Sequence, residues 1–209
     1  GVVGGASAIN RLITDNQVNA IYWLMVDNSS MFAGTSDGPF RIWSGSTSDA
    51  FSPTAIAVDK QNKDGAGDIE PLAAGDGILY VSRSTTKVRE LSYSFEKDKH
   101  LASNLSLLSE HLPRSGVAQI EYVEDPNGIV FVRMVDGLLH TFTYKRDEEV
   151  VAWSQRTMAG TSAFVESMAS IPSVDGKSNT LYFVIRRTIN SATTRYIEFF
   201  EQRFEPSSL

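Results

Sequence analysis

The residues that could do chemistry are few and scattered. There are three histidines, His100, His111 and His140, and no cysteine. No two histidines stand four residues apart, and none has the carboxylate spacing that gathers a metal. Packing or surface roles suit them better. Without cysteine, disulfides, thiol nucleophiles and zinc–thiolate sites are excluded together. Serines abound, but no Gly-x-Ser-x-Gly elbow exposes one as a nucleophile. No glycine-rich phosphate loop is present either, and Gly65-Ala66-Gly67 follows a polar stretch and reads as a flexible connection. The carboxylate pairs Glu148-Glu149 and Glu96 with Asp98 fall where hairpin tips are expected. Adjacent positions there point to opposite faces, so solvation explains them better than paired acid and base. No catalytic, cofactor-binding or metal residue is therefore assigned, and a non-enzymatic chain without cofactor is expected.

Two further stretches need weighing. Ser36-Asp37-Gly38-Pro39-Phe40-Arg41-Ile42-Trp43 invites comparison with the Asp-box, Ser-x-Asp-x-Gly-x-x-Trp, but its Ser, Asp and Gly are contiguous. A hairpin turn followed by a buried Trp accounts for it better. Arg186-Arg187, Arg195 and Arg203 make the C-terminal part locally basic. Edge-strand charge that blocks aggregation is the preferred reading, and a partner-binding strip is the alternative.

Composition narrows the class. With 19 Lys and Arg against 25 Asp and Glu, the net charge of −6 argues against specific nucleic-acid binding, which wants a basic face. Hydrophobic content of 42% supports a buried core. The apolar runs are strand-length, well short of the roughly 20 residues of a membrane helix, so no membrane partner is expected. Gly1 stands where Met would, which fits a piece of a longer protein or a tag remnant.

The elements that must position any site read as short antiparallel strands. Residues 118–122 alternate apolar and polar, Asp125-Pro126-Asn127-Gly128 turns, and Ile129–Met134 is nearly solid apolar. Asp136-Gly137 turns into residues 138–144, and residues 150–154 follow a charged tip. Alternation marks a half-buried strand, and the solid run marks one covered on both faces. Ile129, Phe131, Leu181 and Phe183 are accordingly expected in the core. Weaker copies occupy residues 20–60, 69–112 and 164–204, with 117–158 the clearest unit. In the second copy, Leu101, Leu105, Leu108 and Leu112 recur at a helical spacing, which predicts a short helix within 103–111 in place of the outer strand. The second strands of the units recur every fifty residues or so, the mark of a β-propeller rather than a β-sandwich. The expectation is an all-β chain, 1–209, forming a single β-propeller domain of about four four-stranded antiparallel blades. The last unit lacks a fourth strand, and residues 7–14, alternating from Ile9 to Thr14, are expected to close the ring by pairing with residues 194–204.

Several strings occur in an order that resembles one family. They are Met31-Phe32-Ala33-Gly34-Thr35-Ser36-Asp37-Gly38, Lys87-Val88-Arg89-Glu90-Leu91-Ser92-Tyr93, and the run from Asn104 that ends in Ser109-Glu110-His111-Leu112. Glu149-Val150-Val151-Ala152-Trp153, Val165-Glu166-Ser167 and Arg195-Tyr196-Ile197-Glu198 follow. Together, from about Ile21 to Glu198, they resemble phage and prophage tail proteins related to the tail tubular protein B, or nozzle, of short-tailed phages. The resemblance implies a non-enzymatic structural component of a phage tail, made in the host bacterial cytoplasm and located in the virion. Its partners would be other copies of itself in a ring around the DNA exit channel and neighbouring tail proteins. The family carries no catalytic motif to transfer. The rival from another class is a carbohydrate-binding or glycoside-cleaving β-propeller, suggested by aromatic strands such as Tyr22-Trp23.

Overall fold

The computed structural model describes residues 8–10, 12–13, 19–27, 30–46 and 48–201. The chain divides into two compact units, Gly1–Glu110 and His111–Leu209. Each contains two antiparallel meanders, so the architecture is all-β with four sheets in chain order. No helix among the described residues is long and apolar enough to cross a membrane.

In the first unit, one sheet runs β1 (Ile21–Asp27), β2 (Ser30–Thr35), β3 (Gly38–Trp43), β4 (Ala57–Lys60), and the next runs β5 (Leu72–Ala74), β6 (Gly77–Val81), β7 (Val88–Ser94), β8 (Lys99–Asn104). All of β6 is buried, as a solid apolar run between two neighbours should be. Trp23 and Phe32 from the first sheet meet Ile78, Tyr80 and Leu91 from the second in one core cluster. On the other face of the first sheet, Ala33, Phe40 and Ile42 form a second cluster.

Gly65-Ala66-Gly67, expected to be a flexible connection, belongs instead to a tightly fitted splice from Gln61 to Gly67 between these two sheets. Gln61 N donates to Pro39 O at 2.9 Å, Ala66 N to Thr35 O at 2.8 Å, and Gly67 N to Val81 O at 2.9 Å. Tyr80 Oη donates to Asp64 O at 3.0 Å, and Ala66 is fully buried. Composition misleads here because the backbone, not the side chains, makes the bonds. Gly65 is required by close approach, since a Cβ there would sit 2.2 Å from Ser36 O.

The helix expected within 103–111 is absent. Its place as outer strand is taken by β8, which contains Leu101, and only isolated 3-10 turns follow at Leu107–Ser109 and Pro113–Ser115. Asn104 Oδ1 accepts from Ser106 N at 3.0 Å, and Ser106 Oγ accepts from Val88 N at 3.0 Å. Short polar side chains thus satisfy the backbone groups that a helix would have used. Leu107 and Leu108 are exposed, so the leucine spacing marks no buried face.

In the second unit, one sheet is β9 (Val117–Val123), β10 (Ile129–Met134), β11 (Leu139–Lys145), β12 (Val150–Arg156), and the other is β13 (Thr161–Pro172), β14 (Asn179–Ile189), β15 (Ala192–Phe199). Ile129, Phe131, Leu181 and Phe183 all join one buried cluster with Leu139, Val165, Met168 and Ile185, as expected. The β10–β11 turn needs Gly137, whose φ is +79° and whose Cβ position is blocked by the Phe164 ring at 2.3 Å.

The expected closing strand is not seen. Ile9, Asn10, Leu12 and Ile13 lie outside any strand, and Arg11 and Thr14 fall outside the described residues. Ile13 packs against the Ala33, Phe40 and Ile42 cluster, where its apolar side chain finds cover without a ladder. The last sheet has three strands among the described residues, and residues 202–204 of the expected partner lie beyond them.

Two stability outcomes follow. Phe131→Ala should cost about 3–5 kcal/mol in urea unfolding, and a loss under about 1 kcal/mol would contradict its place in the core. Gly65→Ala should cost about 1–3 kcal/mol, because the obstruction is backbone that cannot swing aside. An unchanged midpoint would show that the splice is loose.

Candidate functional site

The residues singled out in the sequence do not converge. His100 lies on β8 and His140 on β11, in different units, and both are buried. His111 is exposed in a turn. Burial pushes the His140 imidazole below its ordinary range, and nearby His111 adds to that while Asp136 opposes it. Among the described residues, no group of three His, Asp or Glu side chains is placed to hold a metal.

The Asp-box comparison resolves as the β2–β3 hairpin, with Asp37 paired to Lys60. Trp43 is only half-buried, not buried as expected. Its Nε1 donates to Asp59 Oδ2 at 2.8 Å, and the Arg41 guanidinium lies 4.4 Å over its ring. Tyr22 is exposed while Trp23 is core, so this aromatic pair forms no binding platform. Glu148 and Glu149 sit exposed at the β11–β12 tip. Among the described C-terminal arginines, Arg195 lies on the edge strand β15 as expected, whereas Arg186 and Arg187 lie on the central β14, and all three are ion-paired. Arg195 makes a two-point contact with Glu166 at 2.7 and 3.1 Å, and Arg187 grips Glu198. Each arginine lowers the pKa of its carboxylate partner. Arg203 lies outside the described residues.

The polar site that does assemble is in the first unit, between the facing surfaces of its two sheets. Strand alternation decides its membership. On β1, Trp23, Met25 and Asp27 share a face. Cross-strand pairing then puts Ser30 opposite Asp27, Phe32 opposite Met25 and Arg41 opposite Phe32 on that same face. On the second sheet, Leu91 and Tyr93 share a face, and Tyr93 pairs directly with His100. The apolar layer of Trp23, Phe32, Ile78 and Leu91 therefore turns polar towards one end. There Asp27, Ser30, Arg41, Tyr93, Asp98 and His100 surround a cavity of about 290 Å³ floored by Phe32.

Geometry fixes the state of each group. Gln61 Nε2 donates to Asp59 O at 3.0 Å, which leaves its Oε1 to accept from His100 N at 3.0 Å and from His100 Nδ1 at 2.9 Å. An amide oxygen only accepts, so Nδ1 carries the proton and Nε2 holds the lone pair. Burial, reinforced by the Arg41 charge, drops the His100 pKa to about 4. The imidazole is neutral at physiological pH and rests edge-on against Phe32 at 4.7 Å and Tyr93 at 5.5 Å. Tyr93 Oη donates to Asp98 Oδ1 at 2.6 Å, which raises the phenol pKa. Arg41 Nε donates to Ser30 Oγ at 2.8 Å. The wall thus offers acceptors at His100 and Asp98, a donor fork at Arg41, and the half-exposed Tyr93 ring.

Of these residues, the sequence singles out His100 as a packing histidine, Asp98 as part of a solvated tip and Arg41 within the Asp-box comparison. The available signal was the inward alternation Trp23, Met25, Asp27, which changes from apolar to charged without leaving the face. In the second unit, a smaller cavity of about 140 Å³ lies against Ile129, Phe131, Leu181 and Phe200, with Arg156 at its wall. No protein-family model matches this chain, and no curated protein matches it.

Because the folded His100 pKa lies below the ordinary value of 6.5, its contribution to stability is complete above about pH 6.5. That contribution is lost as pH falls towards about 4. Between pH 7 and 4.5 the wild type should therefore lose more stability than His100→Gln, with His140 contributing equally to both. Equal losses in chemical unfolding would show that His100 is not held neutral.

Proposed function

We propose that this chain is a non-enzymatic structural module of a phage or prophage tail, its four meanders serving as consecutive blades of a propeller. The second strands β2, β6, β10 and β14 begin at Ser30, Gly77, Ile129 and Asn179, a period of roughly fifty residues that suits blade-by-blade repetition. The family resemblance supplies the biological setting, and partners would be further copies and neighbouring tail proteins.

The observation that carries an assembly role is the outer face of the last sheet. Register puts Ile171 on β13, Tyr182 on β14 and Ile197 and Phe199 on β15 on one side. All four are exposed, Ile197 at 77% and Phe199 at 52%. Tyr182 and Phe199 touch ring to ring at 5.6 Å, and Arg186, Glu166 and Arg195 border them. A contiguous apolar patch with a charged rim is what a protein–protein contact buries.

The test uses particles from the organism that encodes the chain. The protein should co-purify with tailed particles, and the double change Ile197→Asp with Phe199→Asp should remove it from them. Both positions are exposed, so the variant should unfold at the same urea concentration as wild type. Absence of the wild-type chain from particles, or normal incorporation of the variant, would overturn the reading.

A further inference from the structure

We propose that the cavity between the two sheets of the first unit binds a neutral polyhydroxylated ring, a single hexose or cyclitol unit. The inference does not rest on the tail assignment.

Charge balance selects the class. Among the described lining residues Arg41 is the cation, and Asp98 is a carboxylate on the same wall. A phosphate or carboxylate would gain from the guanidinium and meet the Asp98 carboxylate. An ammonium or guanidinium ligand would gain from Asp98 and meet Arg41, whose field already disfavours the His100 cation. A neutral ligand escapes both conflicts, provided that it carries donors and acceptors together. Hydroxyls do.

Geometry then fits a sugar-like ring. His100 is 9% exposed and lines the gap, and with Nδ1 engaged on Gln61 its Nε2 carries the lone pair that a ligand hydroxyl could donate to. Asp98 Oδ1 takes the Tyr93 hydroxyl, which leaves Oδ2 to accept from a ligand hydroxyl. The guanidinium of Arg41 uses Nε on Ser30 Oγ and can turn its terminal N–H groups to a ligand oxygen. Tyr93 is 47% exposed and offers the apolar face that the C–H side of such a ring stacks upon. At about 290 Å³ the space lies at the small end of ligand pockets, which suits one ring rather than a chain of them.

The experiment is saturation-transfer NMR on the 209-residue chain. The probes are glucose, galactose, mannose, their methyl glycosides and myo-inositol, with inorganic phosphate and lysine as charged comparators. At least one neutral ring should receive saturation through its C–H protons, with a dissociation constant on the order of 1 mM. Tyr93→Ala should weaken that binding about tenfold or more, and Tyr93→Phe, which keeps the ring, should retain most of it. Asp98→Ala should weaken it while leaving the unfolding midpoint close to wild type. Binding of free sugars alone would identify a free metabolite as the source, and binding of methyl glycosides a glycan terminus; both support the ligand class. No transfer to any neutral ring, unchanged binding in Tyr93→Ala and Asp98→Ala, or a stronger response to phosphate or lysine would overturn the proposal. Particle incorporation is indifferent to all of these outcomes, so the two readings fail separately.

Discussion

Each unit depends on a glutamine amide that joins one meander to the next. Gln61, just past β4, binds both the main chain and the ring of His100 on β8. Gln119, on β9, binds both backbone groups of Met168 on β13, accepting at 3.0 Å and donating at 2.6 Å. A meander has satisfied backbone inside and unsatisfied apolar faces outside, so hydrophobic contact alone presses neighbours together without setting their register. A two-point amide contact sets it, because sliding by one residue would strand a buried donor and acceptor at about 1–3 kcal/mol each. Met168 lies just beyond the irregularity between Val165 and Ser167, where the β13–β14 ladder shifts. The glutamine serves backbone groups at the place where strand pairing is disturbed.

Much of the fold was legible because burial imposes simple periods on strands. Ile129–Met134 reads as covered on both faces and is. The Asp136-Gly137 and Ser36-Asp37 turns read as hairpins and are. Two departures from expectation share a cause. Both concern a stretch whose structure is decided by backbone bonds to distant or polar partners rather than by its own apolar pattern. Leucines 101–112 keep a helical spacing by coincidence, while Asn104 and Ser106 hold the main chain in turns. Gln61 to Gly67 has the composition of a loose loop, yet its backbone polarity is satisfied by Thr35, Pro39 and Val81 on three strands of two sheets. Alternation around Ile13 has a different explanation, because packing on Ala33, Phe40 and Ile42 covers its side chain without a ladder.

The candidate site was hidden for a different reason. Its members come from β1, β2, β3, β7, the turn before β8 and β8 itself, so no local window contains more than two or three of them. Only pairing register shows that Asp27, Arg41 and His100 face one space. Register is a long-range property, and a single sequence carries it weakly.

Placing that polarity between two sheets carries an energetic cost, and the way it is offset bears on its meaning. Burying an unmatched charge or amide is strongly unfavourable, so a purely structural layer would continue the apolar series of Trp23 and Phe32 to its end. Instead Arg41 is stacked on Trp43 and bonded to Ser30, Tyr93 is tied to Asp98, and His100 is kept neutral by burial and by Gln61. Each of these groups is tied to a partner and also lines the shared gap. Local rules of strand patterning are broken here at Asp27 and Arg41 and kept almost everywhere else on these faces. Such departures, supported by dedicated partners rather than tolerated at a loose edge, are where a fold trades core stability for recognition.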